Sequence, residues 1–115
     1  IAGAFLALML SVTANAAELI MVRQPGCPWC DLWDREIGSI YPVSDEGRFA
    51  PLRYIDIRHP LPEFVTKPAT ITPTFILIED GHEIGRITGY PGKSFFWGLL
   101  SEILALSSFA QKKLP

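Results

Sequence analysis

Gly26-Cys27-Pro28-Trp29-Cys30 decides how this chain is read. It holds both of the chain's cysteines, with two residues between them. Thiols at that spacing close a reversible disulfide within a single turn of backbone. Pro28, directly after the first cysteine, marks a helix start, because the N–H that proline lacks has no partner in a first turn. Cys27 then stands at a helix N-terminus, where the dipole and the free backbone N–H groups stabilise a thiolate. The pair is read as a site of thiol–disulfide exchange. As a structural staple its loop is too small to stabilise a domain of this size. A zinc site would need two further ligands. The only histidines, His59 and His82, fall in segments read as solvated loops, so no metal is expected.

Beyond the motif, Cys30, Trp33, Ile37 and Tyr41 recur at helical spacing on one face. That phase turns Cys30 inward and leaves Cys27 at the open end. Cys27 is therefore read as the attacking thiol and Cys30 as the resolving one. Asp31 and Arg35 are placed to pair on another face, and Pro42 ends the helix. Trp33 belongs to the core. Trp97 falls on the flank of the last helix. Arg23 is read in two ways, as a cation holding the Cys27 thiolate or as a solvated arginine at a strand end.

The rest of the chain supplies a single small domain. Glu18 to Gln24 reads as a strand around Leu19-Ile20-Met21-Val22, broken by Pro25-Gly26. Ser44-Asp45-Glu46 caps a short helical turn, and Leu52 to Ile57 is a second strand. His59 to Lys67, with Pro60 and Pro62, is irregular or a short helix. Thr74 to Ile78 is an apolar strand, Asp80-Gly81 a hairpin signal, and Glu83 to Thr88 its partner. After the loop Gly89-Tyr90-Pro91-Gly92, a closing helix carries Phe96, Leu99, Leu100, Ile103 and Leu104 on one face. The order is β-α-β-(α)-β-β-α.

Apolar residues make up 49% of the 115, enough for a core, and a net charge of −2 with interspersed signs argues against nucleic-acid or membrane-surface binding. Residues 1–16 have the character of a signal-peptide remnant. An apolar run to Val12 is followed by Ala14-Asn15-Ala16, a small-x-small cleavage pattern. The run is shorter than the roughly 20 residues of a spanning helix. The folded domain is expected over residues 17–115, exported to the periplasm and soluble after cleavage.

The element order, the CxxC between the first strand and first helix, and Thr72-Pro73-Thr74-Phe75 opening the third strand together resemble the thioredoxin fold. The similarity runs from about residue 18 to residue 109. It implies an α/β fold with a central mixed four-stranded sheet flanked by helices. It also implies a cis Thr72–Pro73 peptide facing the disulfide, and a groove beside it bounded by Trp29, Thr72, Pro73, Gly89 and Tyr90. Thr72 would offer its N–H and C=O to an extended substrate. Tyr90 is read either as a substrate contact or as a loop aromatic closing over the core.

Further blocks sharpen the resemblance. Tyr41-Pro42, Asp45-Glu46-Gly47, Ala50-Pro51-Leu52-Arg53, and Gly89-Tyr90-Pro91-Gly92-Lys93 with Phe95-Phe96-Trp97-Gly98-Leu99-Leu100 are similar to the periplasmic thioredoxins of bacterial sulfur oxidation. That family implies a reductase without a cofactor, fed by a membrane thiol–disulfide electron transporter. Its substrate would be the carrier thiol of SoxY in the SoxYZ complex. The chain departs from ordinary thioredoxin in two places. Cys-Pro-aromatic-Cys is similar to glutaredoxins, and proline after the first cysteine also occurs in DsbA-like oxidases. Met21 stands where thioredoxins carry a buried acid, so deprotonation of Cys30 must use water or another group. The alternatives are a glutaredoxin-like reductase of glutathione mixed disulfides and a CxxC metal carrier. The cis-proline signature favours exchange chemistry.

Overall fold

The computed structural model describes Gly3 and residues 16–112. Nearly all of the expected signal segment, residues 1–16, lies outside the described residues.

The fold is built on alternation. β1 (Ala17–Arg23) is buried along almost its whole length and lies in the middle of a four-stranded sheet of order β2-β1-β3-β4. β2 (Leu52–Asp56) runs parallel to it, with Leu19 opposite Leu52. β3 (Thr74–Glu79) runs antiparallel, with Leu19 opposite Leu77 and Val22 opposite Thr74. Strands this apolar belong where both sheet faces are covered. Leu19, Met21, Phe75 and Leu77 point into one core, and Ile20, Val22, Ile76 and Ile78 into a second. β4 (His82–Thr88) returns from β3 through Asp80 and Gly81, at φ 51° and 75°. Two consecutive positive φ values make the tight turn that matches strand twist.

The parallel β1–β2 pair needs a crossover, and the redox motif opens it. α1 (Pro28–Trp33) runs without a break into a π-helical turn, Asp34–Gly38, and a 3₁₀ turn follows at Tyr41–Val43. The straight helix expected up to Pro42 is thus wider at its end and finishes earlier. Its inward stripe survives: Cys30, Trp33, Ile37 and Tyr41 are all buried in the first core. Trp33 packs on Phe75 and Phe96 at centroid distances of 5.3 and 5.8 Å. The Asp31–Arg35 pair does not form. The cation nearest Asp31 is Arg23, at 4.0 Å, because the outer face of α1 turns towards the end of β1.

α2 (Asp45–Phe49) starts at Ser44, whose Oγ accepts the Gly47 N–H at 3.0 Å. A Cβ at position 47 would lie 1.8 Å from the Tyr41 carbonyl oxygen, so only glycine fits. Between β2 and β3 there is no helix. Pro60, Pro62 and Pro68 remove amides and hold the preceding residues out of helical conformation. The loop covers the second core with Leu61, Val65 and Ala69. Arg86 anchors it by donating to the carbonyls of Lys67 and Pro68, both at 3.1 Å. α3 (Lys93–Leu104) buries Phe96, Leu100 and Leu104. Leu99, expected inward, is 37% exposed at the rim of that stripe. A last turn, α4 (Phe109–Lys112), closes the described chain.

Tyr41 ties the 3₁₀ turn to the end of α2: its hydroxyl donates to the Ala50 carbonyl at 2.6 Å inside the core. Burial pushes its phenol above the usual range, and the Glu46 carboxylate adds to the shift. The folded phenol therefore ionises later than the unfolded one. Its contribution to stability is complete below about pH 10 and is lost as pH rises further. Tyr41→Phe should lower stability by about 1 kcal/mol at neutral pH and flatten the alkaline decline. Urea unfolding at pH 7 and pH 11 measures both effects.

Candidate redox site

The strand-to-helix junction sets the cysteines. Gly26 takes φ 73°, turning the chain from β1 into the motif. Cys27 is extended (φ −98°, ψ 102°) and serves as the N-cap of α1. Its Sγ accepts the Cys30 N–H at 3.1 Å, and its C=O accepts the Asp31 N–H at 3.1 Å. The two cysteines are joined by a disulfide, with Cα atoms 5.3 Å apart. Cys30 is fully buried, while Cys27 keeps 4% exposure, so the open end is a pinhole rather than an exposed sulfur. The Cys30 N–H that meets Cys27 Sγ is the donor that would stabilise a thiolate there after reduction.

The Thr72–Pro73 peptide is cis. Register places it beside the motif, because Thr74 lies opposite Val22 and Pro73 therefore sits level with the end of β1. Gln24 Nε2 donates to Thr72 Oγ1 at 3.0 Å, linking the segment before Cys27 to the segment before Pro73. The Pro73 carbonyl accepts the Gly89 N–H at 2.7 Å, and Thr74 Oγ1 donates to the Ile71 carbonyl at 2.6 Å. The backbone N–H and C=O of Thr72 have no hydrogen-bond partner among the described residues.

A groove of about 310 Å³ opens here, lined by Trp29, Ile71, Thr72, Thr88, Gly89, Tyr90 and Pro91. Trp29 is 58% exposed and Ile71 52%, two apolar side chains on its rim. Pro73 is buried below the surface, and Pro28 is exposed at the first position of α1. Sequence reasoning missed Ile71 and Gln24. Ile71 looks like any residue of an irregular segment, although its position directly before Thr72-Pro73 was a usable signal. The groove carries no charge, but the other side of the motif does. A second depression of about 350 Å³ is lined by Arg23, Gln24, Pro25, Gly26, Asp31, Tyr54 and Asp56.

Several expected roles change. Arg23 is neither a free cation nor a partner for the Cys27 sulfur. Its guanidinium grips the Asp34 carboxylate at 2.8 and 2.9 Å and lies 5.0 Å from the centre of the Tyr54 ring. The Asp34 hydrogen bond holds its pKa above the usual value. The same guanidinium approaches the buried Met21 sulfur at 3.9 Å, at the position where a buried acid would stand in thioredoxins. The Tyr90 side chain is 6% exposed. Its ring packs on Phe96 at 6.2 Å and its hydroxyl donates to Glu36 Oε1 at 2.8 Å. It is the aromatic that closes over the core, and it lines the groove while almost wholly buried. Trp97 stacks on Tyr41 at 6.2 Å. His59 and His82 are both exposed, His82 as the first residue of β4 rather than in a loop.

Among solved structures the chain is similar to the periplasmic thioredoxin SoxS from Paracoccus pantotrophus, crystallised in its reduced form. Identity is 44% and the TM-score 0.74, over 79% of this chain and 98% of that one. The chain belongs to the SoxS family of thioredoxins. A thioredoxin from Fasciola hepatica (16% identity, TM-score 0.58, 76% of this chain and 81% of that one) shares the fold. So does a thioredoxin-fold protein from Helicobacter pylori (16%, TM-score 0.58, 84% and 73%). No protein-family model and no curated protein matches the chain. With SoxS-family membership and the Cys27–Cys30 pair, the protein is a thioredoxin-like thiol–disulfide oxidoreductase.

The Arg23–Asp34 pair straps the outer face of the redox helix to β1. Arg23→Ala should lower the stability of the oxidised protein by about 1–2 kcal/mol, reduced from the full charged-bond value by partial exposure. Arg23→Lys should recover only part, since a lysine cannot make the two-pronged contact. Denaturant midpoints of the three proteins decide it.

Proposed function

We propose that the protein is a periplasmic reductase of protein disulfides, with the carrier thiol of SoxY in the SoxYZ complex as its target. The observation that carries this reading is the unpaired backbone of Thr72 in an apolar groove beside the redox motif. An extended polypeptide can add to such an edge with main-chain hydrogen bonds. Residues 1–16 would direct export, and a membrane dithiol transporter would supply the electrons.

In the reduced protein, the Cys27 thiolate attacks one sulfur of the substrate disulfide. A Cys27–substrate bond forms, and the other substrate sulfur leaves as a thiolate that takes up a proton. Cys30 then loses its proton to water and attacks Cys27 Sγ. This releases the second substrate thiol and forms the Cys27–Cys30 disulfide. Two electrons have moved to substrate, and an incoming dithiol restores them. Thr72 would pair with the substrate backbone, while Trp29, Ile71, Gly89 and Tyr90 bound the chain lying above Pro73.

In Cys30→Ser, a mixed disulfide through Cys27 should accumulate with a disulfide-loaded SoxYZ and be visible by non-reducing mass analysis. Attachment through any other residue, or no adduct, contradicts the assigned roles. Trp29→Ala and Ile71→Ala should each reduce kcat/KM for a protein disulfide about tenfold, the scale of a well-packed interface contact. Hydroxyethyl disulfide should be affected much less. Equal losses would mean that these side chains tune the thiols. A glutathione mixed disulfide reduced far faster than any protein disulfide would transfer the assignment to the glutaredoxin-like alternative.

A further inference from the structure

We propose that Glu36 and Tyr90 form a positioning pair that sets the width of the substrate groove by fixing its outer loop to the redox helix. This rests on the groove being where a protein substrate lies. The loop in question, Gly89-Tyr90-Pro91-Gly92, forms one side of the groove. It is bracketed by glycines at φ 84° and 102°. Gly92 caps α3 with no side-chain hydrogen bond. A loop with permissive residues at both ends needs external contacts to hold one shape.

Two hydrogen bonds tie this loop to the rest of the fold. The Gly89 N–H binds the Pro73 carbonyl at 2.7 Å, and the Tyr90 hydroxyl binds Glu36 Oε1 at 2.8 Å. The first ties the loop to the segment that forms the groove floor. The second crosses 54 residues of sequence to the element that carries the cysteines. Glu36 stands in the π-helical turn that continues directly from α1. A π turn advances each residue by less than the usual helical angle, and such turns gather at functional sites. Here it coincides with two contacts in different directions, Asp34 to Arg23 and Glu36 to Tyr90.

The chemistry suits a permanent tie. A carboxylate acceptor makes a stronger hydrogen bond than a neutral one. Burial, and then the neighbouring Glu36 carboxylate, hold the Tyr90 phenol above its usual range, so it remains a donor through neutral pH. The ring is anchored on Phe96 at a centroid distance of 6.2 Å, which leaves the hydroxyl as the part that reports to the redox helix. The Tyr90 ring lines the groove, but the hydroxyl and the Glu36 carboxylate act on the loop and need not touch substrate. Losing the tie lets the loop move relative to Trp29 and Cys27, and an extended chain then binds less well. A small disulfide, which needs no groove, still reaches Cys27.

The test is steady-state kinetics of the full-length protein with SoxYZ disulfide and with hydroxyethyl disulfide. Glu36→Ala should raise KM for the protein substrate about tenfold, the scale of one lost charged hydrogen bond. Its kcat and its rate with hydroxyethyl disulfide should stay unchanged. Glu36→Gln, which keeps an acceptor, should restore most of the affinity. Tyr90→Phe should raise KM like Glu36→Ala, and the double variant should be no worse than either alone. Unchanged KM in both single variants, additive losses, or equal losses on the two substrates would overturn the positioning role. A wild-type protein that reduces protein disulfides no better than hydroxyethyl disulfide would overturn the groove reading, and the positioning role with it.

Discussion

The hydrogen bond from the Cys30 N–H to Cys27 Sγ, 3.1 Å long, is the contact the rest of the molecule serves. It exists because one sulfur is the N-cap of a helix whose first turn carries the other cysteine. An N-cap side chain ordinarily uses oxygen to satisfy one of the orphan amides. Here sulfur takes that place, so the capping geometry and the reactive geometry coincide. Pro28 lacks an amide at the position where none is needed, and its ring presets the first helical dihedral.

Holding that junction still requires a rigid frame on each side. β1 delivers the chain to Cys27 from the middle of the sheet, paired with β2 and β3. Arg23, at its end, straps the helix's outer face through Asp34. The helix's inner face is locked by Trp33, Phe75 and Phe96. The antiparallel register of β3 then brings Thr72-Pro73 level with the motif, and Gln24 joins the two segments. Fold and site are consequences of the same pairing: a shift of one residue between β1 and β3 would put Met21 and Phe75, now opposite each other in one core, on opposite faces of the sheet.

Much of this was legible because it depends on local periodicity. The unbroken apolar runs Leu19-Ile20-Met21-Val22 and Phe75 to Ile78 mark doubly covered strands, Asp80-Gly81 marks the tight turn, and Cys27-Pro28 marks the helix start. Other features had no local trace. The spacing of Cys30, Trp33, Ile37 and Tyr41 suits a straight helix and one with a π turn alike, so the widened turn stayed hidden. Nearest-neighbour charge rules select Asp31 with Arg35, whereas the ion pair that forms joins Arg23 to Asp34 from another element. Tyr90 could be read as exposed or buried until its partner, Glu36, was seen in space. The segment after β2 reads as helix or coil alike from its sequence, and its prolines decide for coil.

The account turns on Cys27 being a thiolate made available by its place at the helix N-terminus. The direct measurement is the pH dependence of alkylation of the fully reduced protein by iodoacetamide, with the modified residue identified by peptide mass. The account predicts that Cys27 is modified first, with a rate midpoint well below the pKa of about 8.5 of a free cysteine. A midpoint at or above that value, or faster modification of Cys30, would contradict it.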